Sequence, residues 1–160
     1  MAARGHLAAM VTLSLDHLAK VAPGVSFLHS FPGPVKSNIA REWTVLDTVM
    51  RSIFFFVGPF IYIPKEECGE RHCFMATSAR YPAAQKANRA IIAPLEKGIS
   101  IARGIDGNEG SGVYIPDAHQ EQAVPKVLDV LADMRKDGKV EKLWEHTETE
   151  FIRICSSLAI

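Results

Sequence analysis

The sequence predicts an α/β fold, from two stretches of contrasting periodicity and the breaks between them. Leu7, Met10, Val11, Leu15, Leu18 and Val21 recur at helical spacing, so residues 6–21 read as an amphipathic helix. Asp16 and Lys20 stand four apart on it and are placed to pair. Pro23 and Gly24 stop the helix, since proline has no amide for a further turn and glycine punctuates the chain. Residues 25–31, Val-Ser-Phe-Leu-His-Ser-Phe, read as a short strand closed by Pro32, Gly33 and Pro34. Helix, tight turn, strand and Pro-Gly loop make half of an α/β unit.

The remaining elements follow in order. Ser37 or Asn38 is a cap for a short helix through Trp43. Residues 44–57 begin with helical spacing in Val45, Val49 and Ile53 and then turn apolar on all sides, as a buried, ligand-covering or membrane-surface segment does. Pro64 followed by Glu66 and Glu67 marks a helix start, and that helix runs to about Ser78. Residues 83–98 read as weak helix or loop, and 98–103 as a short strand. Gly104, Gly107, Gly110 and Gly112 form a glycine-rich turn into a strand at 113–115. Two closing helices, 123–137 and 141–154, are separated by Gly138.

Composition narrows the function. The chain has 160 residues, 48% hydrophobic and 22% charged, which suits one globular domain or a large part of one. Lys+Arg and Asp+Glu are 18 each, so no basic surplus is available to neutralise phosphates and general nucleic-acid binding is not expected. Three cysteines, Cys68, Cys73 and Cys155, make no disulfide framework and point to a reducing compartment, hence a cytoplasmic location. The greasiest run, Ile53 to Ile63, is broken by Gly58 and Pro59 and falls well short of the roughly 20 residues a membrane span needs.

Several motifs invite chemistry. Cys68 and His72 share a helical face and have donor atoms that suit zinc, with Cys73 beside them. A structural zinc wants four ligands, however, and no second pair with suitable spacing occurs, so no metal is expected. The glycines at 104–112 lead into a strand, whereas a phosphate cradle needs a strand before it and a helix after it; they are turn residues. No Gly-x-Ser-x-Gly elbow is present. His29, on the strand beside the Pro-Gly loop, is either a satisfied structural histidine or a catalytic one.

The helix, the strand, and Pro32-Gly33-Pro34-Val35 with Ser37 two residues on together resemble the short-chain dehydrogenase/reductase family. Residues 66–82, 110–114 and 143–148 resemble that family's fungal members, many of which serve secondary-metabolite pathways. The resemblance implies a partial Rossmann-type parallel sheet with flanking helices, corresponding to the C-terminal half of the fold. It implies one partial domain over 1–160, without the N-terminal dinucleotide-binding half. It also implies an NAD(P) cofactor whose nicotinamide lies against Pro32, Gly33, Pro34 and Val35, with Ser37 at the position that bonds the carboxamide. The family's Tyr-x3-Lys pair, counted back from the strand, falls on Ala2 and His6. A phenol donates the proton in that chemistry and a nearby cation lowers its pKa, so alanine removes the donor while histidine keeps a cation. His6, from that count, and His29, from its place beside the Pro-Gly loop, are the catalytic candidates.

Three functions compete on this reading. One is a truncated oxidoreductase of fungal secondary metabolism acting on an apolar small molecule. Another is a cofactor-independent remnant that binds, isomerises or cyclises a pathway intermediate, with the apolar segment 45–63 forming its pocket, where the family places substrate-covering helices. The third is a noncatalytic homo-oligomer or partner of a full-length relative, joined through exposed sheet edges.

Overall fold

The computed structural model describes residues 2–35, 57–58, 61–85, 95 and 97–158. Its elements are α1 (Ala2–Val21), β1 (Phe27–Leu28), α2 (Lys65–Thr77), β2 (Val113–Tyr114), α3 (Pro125–Lys136) and α4 (Lys139–Leu158). The expected elements at 37–43 and 44–56 lie outside the described residues. Residues 98–103 form no strand; the segment is held by an antiparallel bridge between Arg103 and Glu109 and by the Ala102 amide, which donates to the Arg80 carbonyl at 2.7 Å. Among the described residues, no helix is long and apolar enough to cross a membrane.

β1 and β2 pair in parallel, Phe27 opposite Val113 and Leu28 opposite Tyr114. The ladder continues beyond them. The amides of Phe27, His29 and Phe31 donate to the carbonyls of Gly112, Tyr114 and Pro116 at 2.8, 2.9 and 3.1 Å. Donors on alternate residues are the parallel pattern, so the ladder covers 27–31 of the strand predicted over 25–31, while Val25 belongs to the turn after α1, its amide donating to the Ala22 carbonyl at 3.0 Å. Parallel strands cannot be joined by a hairpin, and α2 lies in the crossover between them.

Alternation along the strands builds two layers of core. Phe27, Val113 and Ile115 face α1, α3 and α4, packing with Leu13, Ile105, Leu131 and Val140. Leu28 and Tyr114 face the other way, onto Met75 and Phe74 of α2 and onto Tyr81. Side chains of successive strand residues point to opposite faces, so helices on both sides of this parallel sheet follow directly. The result is the partial Rossmann-like α/β arrangement expected. Tyr114 is anchored by donating to the Pro82 carbonyl at 2.6 Å, and the Tyr81 ring meets it edge-on at 5.4 Å. Burial pushes the Tyr114 phenol above its ordinary pKa.

α1 corrects the expected helical face. Thr12 and Leu13 are 3% and 1% exposed and Ala19 is buried, whereas Leu7 and Val21 are 62% and 68% exposed. The helix is apolar on most sides, so periodicity discriminates weakly. Small residues at Ala9 and Ala19 bring it close to its neighbours. Lys20 is also not paired within the helix: it meets Glu141 of α4 at 3.4 Å, where His17 stacks on Trp144 at 4.2 Å. Such an exposed ion pair contributes at most about 1 kcal/mol, so the stacked rings and the core beneath them hold the helices together.

Candidate functional site at the carboxyl ends of the strands

In an open parallel sheet, ligands bind in the crevice outside the carboxyl ends of the strands, where the loops diverge. Here that edge is formed by residues 30–35 leaving β1, residues 116–120 leaving β2, and the first two turns of α2. Phe31, Pro32, Cys68, Arg71, His72, Asp117, Ala118 and Gln120 line one shallow cleft there. Roomier clefts exist. The one of about 500 Å³ sits at the amino ends of the strands, beside Pro23, Ser111 and Val113, and is flanked by Lys20, Arg135, Asp106 and Glu141. Its position, rather than its size, argues against it as the main site.

The Pro-Gly loop is fixed by close packing. Gly33 has φ +77°, and a β-carbon there would come within 2.7 Å of Ile63 Cδ1 and 2.8 Å of Ala118 Cβ. Only glycine takes that backbone and that approach readily. The Val35 amide closes a three-residue turn onto the Gly33 carbonyl at 3.0 Å, and Val35 bridges Ile63 in parallel. The turn after β2 is held equally. Asp117 Oδ1 accepts from the amides of His119 and Glu121 at 2.8 and 3.0 Å. Arg71 joins α2 to both edges of this turn: it pairs with Glu67, donates to the Ala118 carbonyl, and its own carbonyl accepts from Gln120 Nε2 at 3.4 Å. Phe31, at the strand exit, is left 67% exposed.

Of the expected site residues, Pro32, Gly33, Pro34 and Val35 are together at this edge. Ser37 lies outside the described residues. His29 faces away, towards α1, where its Nδ1 is 2.9 Å from Thr12 Oγ1. The same hydroxyl donates to the Ala8 carbonyl at 3.0 Å. A hydroxyl has one proton and a carbonyl only accepts, so both bonds coexist when His29 Nδ1 is the donor. That contact clamps β1 to α1. His6 is exposed on α1, and no hydrogen bond among the described residues ties it to the loop.

Sequence reasoning missed a pair at the edge. Ser30 shares the Leu28 and Tyr114 face of the sheet, which is the α2 face, and its Oγ lies 3.3 Å from His72 Nε2. Cys68 and His72 do share a helical face, with Cys68 Sγ 3.6 Å from His72 Nδ1, but that nitrogen is 2.7 Å from the Cys68 carbonyl. Among the described residues, no three His, Cys, Asp or Glu side chains converge as metal ligands. Strict alternation from His29 would have turned Ser30 towards α2.

The chain matches named fungal proteins. It is 37% identical over 147 residues to an oxidoreductase of Emericella nidulans, covering 90% of this chain and 43% of the relative. It is 31% identical over 153 residues to the oxidoreductase andH of Emericella variicolor, covering 95% and 44%. It is 30% identical over 146 residues to the NmrA-like family domain-containing oxidoreductase notO of an Aspergillus species, covering 91% and 38%. No protein-family model and no solved structure matches. The chain thus spans about two fifths of the length of these relatives, and over nine tenths of its own length it is similar to fungal oxidoreductases.

Proposed function

We propose that these 160 residues are the nicotinamide- and substrate-facing part of an NAD(P)-dependent oxidoreductase of the short-chain dehydrogenase/reductase type, acting on an apolar small molecule in fungal secondary metabolism. The observation that carries this is the Pro32–Val35 loop at the carboxyl end of a parallel sheet, held there by the packing of Gly33 on Ala118. A nicotinamide ring is flat and largely apolar, and exposed Phe31 with Pro32 and Pro34 suits its face. A bound reduced nicotinamide supplies hydride; the chain supplies the surface that orients it and, under the further inference below, a proton path.

The pyrophosphate end does not fit. Among the described residues, no strand, glycine turn and helix follow in succession, and that turn is the main anchor of a dinucleotide. The glycine loop at 104–112 is stitched by its own groups, Asp106 accepting from the Asn108 amide and side chain at 3.0 and 2.9 Å. The 160-residue chain alone therefore holds NADPH by its nicotinamide end, weakly. Saturation-transfer NMR with NADPH tests this. Transfer stronger to the nicotinamide protons than to adenine supports the reading. Transfer equal or stronger at adenine, or a micromolar dissociation constant (about −8 kcal/mol) by calorimetry, overturns it.

A further inference from the structure

We propose that Ser30 and His72 form a proton-relay pair, Ser30 taking the hydroxyl proton of an alcohol substrate, or returning it to a carbonyl oxygen, and His72 serving as its proton acceptor. The proposal rests on the functional reading above for the placement of substrate at the loop. Its geometry is independent of that reading.

The Cys68 carbonyl, 2.7 Å from His72 Nδ1, can only accept. Nδ1 therefore carries a proton, and in the neutral ring Nε2 presents its lone pair. Among the described residues, the polar side chain that meets that lone pair is Ser30, at 3.3 Å. Serine then donates, and its oxygen lone pairs are free to accept from a substrate hydroxyl. A backbone carbonyl thus fixes which ring nitrogen is basic, as a carboxylate does for the histidine of a catalytic triad. The protons balance. As the substrate O–H gives its proton to Ser30 Oγ, Ser30 gives its own to His72 Nε2, and the exposed imidazolium releases one to solvent. Reduction runs the same path backwards. Ser30 touches substrate and is the catalytic residue; His72 acts through it, and the Cys68 carbonyl orients the ring.

Two readouts test the pair without a nicotinamide, so it can fail while NADPH transfer succeeds, or the reverse. Long-range ¹H–¹⁵N NMR of the imidazoles, with His72 assigned by His72→Gln, should show Nδ1 protonated and Nε2 unprotonated. Cys68→Ala should leave this unchanged, because the partner is the backbone carbonyl and not the thiol. p-Nitrophenyl acetate then probes the activated hydroxyl. Ser30 Oγ bonds the acetyl carbon, nitrophenolate leaves with the electron pair, and the serine proton passes to Nε2. Acetylation of Ser30 by peptide mapping should fall at least about tenfold in His72→Gln, a floor set below the roughly 10²–10⁴-fold that general base catalysis supplies. An Nε2-protonated His72, or Ser30 acetylation undiminished in a folded His72→Gln chain, overturns the relay. Should that variant not fold, the wild-type tautomer and peptide map decide.

Discussion

Gly33→Ala is the perturbation that bears most directly on the loop. At φ +77° an alanine costs roughly 1–2 kcal/mol of backbone strain relative to the right-handed region. Its β-carbon would also stand 2.7 Å from Ile63 Cδ1 and 2.8 Å from Ala118 Cβ. Ile63 Cδ1 is the end of a flexible side chain and can swing aside. Ala118 Cβ is fixed to a turn held by Arg71 and by the bridge of Pro116 to Gln122. Overpacking of this kind costs about 1–3 kcal/mol. Reduced freedom of the unfolded chain returns about 0.4–1 kcal/mol. The net loss is about 3 kcal/mol, or a melting temperature lower by about 6–12 °C for a chain of this length. Urea melts of Gly33→Ala, Ala118→Gly and the double variant form a cycle. The double variant should recover the steric share against Ala118 and keep the strain share. Gly33→Ala within about 0.5 kcal/mol of the parent would refute the packing of the loop against the exit of β2.

Leu13→Ala empties a fully buried position between α1 and the sheet and should cost about 3–5 kcal/mol in a urea melt; a loss under about 1 kcal/mol would contradict the core described. Burial pushes the Asp106 carboxyl up, but hydrogen bonds from the Asn108 side chain and amide outweigh it and leave it below the usual carboxylate range. That stability is present above the unfolded aspartate value of about 3.9 and is lost as pH falls through the lower folded value. Wild type should therefore exceed Asp106→Asn in melting temperature at about pH 6, with the gap closing below about pH 4; a constant gap would refute it. Phe151 and Ile152 are 69% and 65% exposed on α4, so the chain should self-associate with concentration in sedimentation, and Phe151→Glu should reduce that. A concentration-independent monomer would count against this.

The legible parts of the fold were those set by local chemistry. Pro23-Gly24 and Pro64 with its two glutamates bounded helices correctly, and Gly138, at φ +66°, divides α3 from α4 as its place between two helical patterns implies. The buried face of α1 was not legible, because a helix apolar on most sides gives periodicity little to discriminate, and the packing was decided by Ala9, Thr12 and Ala19. The Pro-Gly break was legible from its punctuation alone, while its reading as a cofactor-facing loop came from the family resemblance. The partner of Gly33 was not legible, since Ala118 lies 85 positions away in sequence. Likewise Cys68 and His72 were visible as a helical pair, whereas the tautomer set by the Cys68 carbonyl and the approach of Ser30 depend on how α2 packs across β1.

The central claim is that the carboxyl edge of the sheet is the ligand-binding edge. A ¹H–¹⁵N correlation titration of the chain with nicotinamide mononucleotide measures it from the protein side. The account predicts that the amides of Phe31, Gly33, His72 and Ala118 shift first and together, while those of Lys20, Asp106 and Glu141 at the roomier amino-end cleft stay in place. Shifts concentrated at that cleft, with Gly33 and Ala118 unmoved, would contradict it.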